Sequence, residues 1–353
     1  MRPLKLAMIA PLVAPLREPD SYGNHRVIAD LARALASRGH DVTVYAAAGS
    51  HVHGVRVDTV EVAAVAQRTF ALLGTPSSEA RVALDDAFAR LFEHLRVRGC
   101  DVISQHAFDA PAITRAAHWP TVHVLHLPAI VPEVVAALRD ARGTIIAVSA
   151  AARQEWRRVL GRAVEMIPNG VPGFAPDATP PARYALFAGR IAREKGTAVA
   201  LRVARALGLR AILAGDIYDT EYFARDVAPL MADATYFGTL PRAHVWHLMT
   251  RAAVTLMPIA WDEPFGLVAA EAQLAGCPVA GYRRGALPEV VPDAIGGYLA
   301  SPDDAAALVV AARRCLELDR KALQRAARER FSFERCVFAH EVFVEGAARC
   351  GSR

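Results

Sequence analysis

Two glutamates with seven residues between them, Glu263 and Glu271, stand in the run Trp261-Asp-Glu263-Pro-Phe-Gly266-Leu-Val-Ala-Ala-Glu271-Ala-Gln-Leu-Ala-Gly276. The apolar stretch just before it predicts a strand over 254–258, and the pattern after it predicts a helix opening near Phe265. At such a helix start the N–H groups of Gly266 and Leu267 have no intrahelical acceptor, which makes a diphosphate site. Glu271 falls mid-helix among Leu267, Val268, Ala270, Ala272 and Leu274. A carboxylate there needs a partner, because an unpaired buried charge is costly. A pair of sugar hydroxyls would serve, and so would a structural ion pair. Glu263 sits over the same pocket, although the helix dipole also favours an acid at that point.

A second loop, Gly189-Arg190-Ile-Ala-Arg193-Glu194-Lys195-Gly196, again joins a predicted strand to a predicted helix. Its cations could clamp phosphate oxygens beyond the carboxyl end of the strand. Only three of the 41 basic residues are lysine (Lys5, Lys195, Lys321), so a lysine in this loop invites a specific task. A third loop runs from Pro11 to Asn24 and carries Tyr22-Gly23-Asn24 just before a helix. Gly23 would let backbone N–H groups approach an anion there, and a plain N-terminal turn would look the same.

The elements that must position these loops alternate along the chain. Strands are expected at Leu4–Ala10, Val42–Ala46, Gly54–Val60, Asp101–Ser104, Thr121–Leu125 and Thr144–Val148, and a helix places Val27, Leu31, Ala34 and Leu35 on one face. Near-continuous apolar strands separated by helices imply parallel sheets covered on both faces. The cluster Pro168-Asn-Gly-Val-Pro-Gly173, followed by Pro176, Pro180 and Pro181, reads as a linker over 168–181. A second alternation follows, with strands at Tyr184–Ala188, Arg210–Ala214, Thr235–Phe237, Ala253–Met257 and Pro278–Gly281, a helix from about Gly196 to Leu207, and a last amphipathic helix from Ser332 to Ala348. Open sheets of this kind bind ligands beyond the carboxyl ends of their strands, which is where the three loops lie.

Composition agrees with this plan and narrows the partners. The 353 residues suffice for about two domains. The longest apolar run, Ala305 to Ala312, is far below the ~18 residues a membrane span needs, so no integral membrane association is expected. A net charge of +5, spread along the chain, suits anionic ligands rather than nucleic acid. Five widely spaced cysteines without a Cys-x-x-Cys read as reduced thiols of a cytoplasmic protein. Pro11 and Pro15, with Arg17, Glu18 and Asp20 close behind, make the N-terminus a strand rather than a cleaved signal. No Asp-x-Asp follows a strand in the second half, and the histidines are scattered, so no metal site is expected.

In combination these motifs resemble the retaining family-four glycosyltransferases. The resemblance rests on Glu263-Pro-Phe-Gly-Leu-Val-Ala-Ala-Glu271-Ala, Gly189-Arg190 with Lys195-Gly196, Pro168-Asn-Gly-Val171, Gly285-Ala-Leu-Pro-Glu289-Val-Val and Phe331-Ser-Phe-Glu-Arg335, in that family's order over about residues 8 to 345. It implies an α/β protein of GT-B fold, with two facing Rossmann-like domains: an acceptor domain over 1–167, a nucleotide-sugar domain over 182–330, and a terminal segment 331–353 whose helix returns to the first. It further implies that Arg190, Lys195, Gly23, Gly266 and Leu267 bind the donor diphosphate and that Glu271 binds the ribose. Glu263 would contact the transferred sugar, His106 in Gln105-His-Ala-Phe-Asp-Ala-Pro111 would be the active-site histidine, and Asn24 and His126 would lie on the acceptor side. Two departures, Tyr22-Gly23 for the usual glycine pair and Pro172 where the family often has an acid, bear on loop shape and acceptor.

The implied reaction moves a hexose from a nucleotide-diphosphate sugar, by family frequency a UDP-sugar, to a small-molecule acceptor hydroxyl, with no cofactor and no metal. A glycosidase also uses two carboxylates. A nucleotide diphosphate, however, is already a good leaving group, and cations with helix N–H groups stabilise its charge. The alternatives are a nucleotide-sugar 2-epimerase of the same fold and a non-catalytic sugar-nucleotide-binding module. A phosphorylase would need a suitably placed lysine for pyridoxal phosphate, which the three lysines do not supply.

Overall fold

A computed structural model of the chain describes residues 2–17, 23–67, 77–173 and 182–351. Tyr22 and the proline-rich stretch 174–181 lie outside the described residues. The chain divides into two compact units, the first comprising Met1–Asn169 with Glu334–Arg353, the second Gly170–Phe333.

Unit 1 carries strands β1 (Lys5–Ile9), β2 (Asp41–Ala47), β3 (Arg56–Val60), β4 (Val102–Gln105), β5 (Thr121–Leu125), β6 (Thr144–Ala147) and β7 (Glu165–Met166). Its helices are α1 (Gly23–Ser37), α2 (Ser78–Arg98), α3 (Ala110–Arg115), α4 (Pro132–Asp140) and α5 (Ala150–Leu160). The strands form one parallel sheet in the order β3-β2-β1-β4-β5-β6-β7. One core cluster gathers Ile9, Tyr45 and Ile103 with Phe88 and Leu91 of α2, and another gathers Leu125, Leu138, Ile145 and Trp156. Each such large side chain contributes roughly 1.5–3 kcal/mol on burial.

Unit 2 carries β8 (Tyr184–Ala188), β9 (Arg210–Ala214), β10 (Ala234–Tyr236), β11 (Val254–Met257), β12 (Val279–Tyr282) and β13 (Gly297–Ala300). Its helices are α6 (Thr197–Ala206), α7 (Thr220–Tyr222), α8 (Arg242–Arg251), α9 (Leu267–Leu274), α10 (Leu287–Val290), α11 (Ala305–Cys315) and α12 (Arg320–Arg330), and α13 (Phe333–Gly351) ends the chain. The sheet is again parallel, in the order β10-β9-β8-β11-β12-β13. The predicted strands are present with ends matched or moved by a residue or two, the largest shift being the start of β3 at Arg56, and β7 and β13 are additional. Helix α9 begins at Leu267 rather than near Phe265, because Gly266 at its N-cap takes a left-handed conformation (φ 89°).

The strand order reverses direction in both units, between β1 and β4 and between β8 and β11. Loops leaving the two strands at such a switch point diverge to opposite faces and open a crevice at the carboxyl edge. In unit 2 the diverging loops are 189–196 and 258–266, and in unit 1 they are the loop after β1 and the one that carries His106.

Helix α13 is tied into unit 1 by charge. Arg38 donates from Nη1 to Glu341 Oε2 at 3.0 Å and from Nη2 to Glu334 Oε2 at 2.8 Å. The backbone N–H of Leu4 donates to His40 Nδ1, so the proton of a neutral His40 sits on Nε2 and is donated to Glu341 Oε1 at 3.1 Å. Both His40 and Glu341 are buried.

Candidate active site

In unit 2 the chain turns at the end of β8 through Gly189, and Arg190 follows. Its Nη2 donates to Glu194 Oε1 at 3.2 Å, and its guanidinium lies 4.8 Å from the ring centre of Tyr218. Tyr218 arrives from the loop after β9, held by its backbone N–H to Ile191 O at 3.1 Å. A short 3₁₀ turn over Arg193–Lys195 then closes on Gly196, whose φ is 72°. No other residue fits there, since a Cβ on Gly196 would run into the carbonyl oxygen of Pro258. This close approach sets the two switch-point loops side by side, and the backbone N–H of Ala260 donates to Glu194 O at 2.8 Å across them.

That contact delivers Lys195 to Glu263. The ammonium donates to Glu263 Oε2 at 2.6 Å, and the indole N–H of Trp261 donates to the same oxygen at 2.7 Å. Lys195 Nζ also lies 4.9 Å from the centre of the Trp261 ring. One carboxylate oxygen is thus occupied twice, while Lys195 and Glu263 keep 18% and 15% of their side-chain surface exposed. The Glu263 backbone is seated by the Gly285-Ala-Leu-Pro-Glu289 motif. Ala286 N–H donates to Glu263 O at 2.8 Å, and a Cβ on Gly285, whose φ is 53°, would collide with the Glu263 backbone.

Helix α9 carries Glu271 into the interior, where it is 2% exposed. Its partner is Arg242 at the start of α8, which donates from Nε to Oε1 at 2.8 Å and stacks at 4.4 Å on Trp246. No side chain caps the N-terminus of α9, where Gly266 and Leu267 sit. The structure therefore brings Arg190, Lys195, Glu263, Gly266, Leu267 and Glu271 to one edge of the unit 2 sheet. Tyr218, Trp261 and Arg242 join them although sequence reasoning did not single them out. A free guanidinium demand beside the isolated Glu271 was the one signal that could have pointed to Arg242.

In unit 1, His106 follows β4 and is pinned by its backbone N–H to Ile9 O at 2.9 Å. The ring is buried and uses both nitrogens: Nε2 meets Ser104 Oγ at 2.9 Å and Nδ1 meets His126 Nε2 at 2.9 Å. The rings of His106 and His126 stack with centroids 5.2 Å apart, and His340 of α13 lies 6.4 Å from His106. Both ring nitrogens of His106 are thus engaged within unit 1, and His126, which follows β5, is partly exposed. Burial drives the imidazoles toward the neutral form. His106 falls well below its ordinary value, His126 falls to about 3, and His25 and His340 fall to about 4. Burial also pushes the carboxyl of Asp109, at the entry to α3, up to about 7. Gly23, exposed, and Asn24, half-buried, start α1, with Asn24 Oδ1 accepting from the His25 N–H at 3.0 Å. Among the described residues no group of three or more His, Cys, Asp or Glu could hold a metal ion.

Comparison with known proteins meets this geometry. A family model described as glycosyl transferases group 1 matches residues 176–330, and one described as glycosyltransferase family 4 matches residues 23–172. The chain is 29% identical to a D-inositol 3-phosphate glycosyltransferase of Acidothermus cellulolyticus, over 89% of this chain and 83% of that one. It is 29% identical to a glycogen synthase of Mycobacterium tuberculosis, over 87% and 85%. Among solved structures, AviGT4, a glycosyltransferase involved in avilamycin A biosynthesis, superposes with a TM-score of 0.69 at 22% identity over 98% of both chains. Anabaena Alr3699/HepE in complex with UDP and glucose superposes with a TM-score of 0.74 at 19% identity over 97% of this chain and all of the other. The fold is GT-B.

Proposed function

Because the chain belongs to the family-four glycosyltransferases, we propose that it transfers a hexose from a UDP-sugar to a hydroxyl of a small-molecule acceptor, with retention of anomeric configuration and without a metal. The observation that carries this is the trio Lys195–Glu263–Trp261 at the unit 2 switch point, with Arg190 in the same loop. Arg190, Lys195 and the uncapped start of α9 supply positive potential for a diphosphate that gains charge as the sugar leaves. Lys195 is then shared between the donor phosphate and Glu263, whose Oε1 remains for the sugar. Glu271, already oriented by Arg242, keeps Oε2 for the ribose hydroxyls. UDP is favoured because Alr3699/HepE is seen with UDP and with UDP-glucose. A phosphorylated cyclitol is a natural first acceptor to try, since a curated relative is a D-inositol 3-phosphate glycosyltransferase.

The acceptor attacks from the face the diphosphate leaves, and the departing phosphate oxygen takes its proton. His106 and His126, which burial keeps neutral, are the hydrogen-bonding groups that unit 1 offers an acceptor hydroxyl, with His106 backing His126. The test is a thermal-shift series over nucleoside diphosphates, then NMR of the product formed from the best UDP-sugar in chelator. Stabilisation by UDP and an α-anomeric product from an α-linked donor are expected. An inverted product, or consumption of the donor to a 2-epimer without acceptor, would overturn the reading.

A further inference from the structure

The protons of the unit 1 relay can be counted. Ser104 Oγ, His106 and His126 are joined in series by two contacts of 2.9 Å, and His106 uses both of its ring nitrogens in them. Ser104 and His106 are each 1% exposed. Each imidazole is neutral, so each ring carries a single N–H, and Ser104 carries a single O–H. Only two arrangements place one proton in each contact.

In the first, Ser104 O–H donates to His106 Nε2, His106 Nδ1–H donates to His126 Nε2, and the His126 proton is left on Nδ1. In the second, every bond runs the other way. His126 Nε2–H donates to His106 Nδ1, His106 Nε2–H donates to Ser104 Oγ, and His126 Nδ1 is left with a lone pair. The second strands the Ser104 hydroxyl proton, because Ser104 has no other hydrogen-bond acceptor among the described residues. A buried donor without a partner is strongly disfavoured, whereas the proton that the first arrangement leaves on Nδ1 belongs to the partly exposed His126, so the first arrangement prevails.

We propose that Ser104, acting through His106, is a positioning residue that fixes His126 as the Nδ1–H tautomer, so that His126 offers a hydrogen-bond donor and not a base. This rests on the reading of unit 1 as the acceptor side of a glycosyltransferase. A donor at this place grips the lone pair of a sugar or acceptor hydroxyl oxygen and leaves the acceptor's own proton for the departing phosphate. Burial, which lowers His126 to about 3, keeps the relay neutral.

The experiment is long-range ¹H–¹⁵N correlation on the full chain labelled at histidine, which distinguishes Nδ1–H from Nε2–H directly, read beside steady-state kinetics. In the wild type, His106 and His126 are both expected as Nδ1–H. Ser104→Ala should populate both tautomers of His126 and lower kcat about tenfold, the scale of one lost hydrogen bond, with KM for the nucleotide-sugar unchanged. Ser104→Thr, which keeps a hydroxyl donor, should restore both. A wild-type His126 in the Nε2–H form would overturn the proposal, and so would a tautomer unmoved by Ser104→Ala in a folded protein. If the wild type consumed no nucleotide-sugar, the glycosyltransferase reading would fail, while the tautomer spectrum would still decide the inference.

Discussion

The two halves of the candidate machinery are built from opposite materials. In unit 2 the site is held by ion pairs, Lys195 with Glu263, Arg190 with Glu194 and Arg242 with Glu271. In unit 1 it is held by imidazoles that burial keeps neutral. Charge pairs with residual exposure can exchange partners when an anion arrives, which suits a diphosphate donor. Neutral rings in a fixed relay offer direction without charge, which suits a hydroxyl. The same parallel-sheet crevice thus becomes an electrostatic cradle in one unit and a hydrogen-bonding template in the other.

Acid separates the two most strongly. His25, His123 and His340 are buried and lowered to about 4 from 6.5. Between these values the unfolded chain binds protons that the folded unit refuses. Their stabilisation is therefore complete above pH 6.5 and is lost as pH falls toward 4. Each costs about 2 kcal/mol by pH 5. Asp109, raised to about 7, works the other way and offsets part of this. Urea titrations at pH 7.5 and 5 should show unit 1 losing several kcal/mol. A loss confined to unit 2 would break the contrast.

The next effect is on turnover. Glu263→Gln keeps the shape but removes the carboxylate that Lys195 and Trp261 hold, and kcat should fall about 10²- to 10³-fold, as for loss of a group facing developing charge. A change in KM alone would reduce Glu263 to a binding group. The smallest effect concerns Glu271→Ala. It leaves Arg242 without its carboxylate and should cost about 2 kcal/mol, less than for a fully buried pair because Arg242 retains some water. UDP affinity should weaken with it, and calorimetry reads both.

Much of the fold was legible because parallel strands buried on both faces are written as short apolar runs. β5, β8 and β9 fall on their predicted ranges for that reason. The loops between them were legible as sites because Gly196, Gly266 and Gly285 are needed where backbone meets backbone or a helix must start abruptly. What was not legible is who pairs with whom. Arg242 lies 29 residues before Glu271, and Tyr218 and Arg190 meet only through strand neighbours. Nor could spacing tell which histidine of the pair is spent internally. That depends on Ser104 lying two residues before His106 on the same strand end, with both side chains turned to one side.

The discontinuity of unit 1 carries a consequence for synthesis. Its sheet and first five helices emerge from the ribosome before unit 2, but Glu341 and His340 emerge only after it. Until then Arg38 and His40 lack their carboxylate and one wall of the histidine cluster is missing. The nascent first unit waits, open at that wall, through the making of some 160 residues of unit 2. Unit 1 is therefore the first part to be translated and the last to be finished.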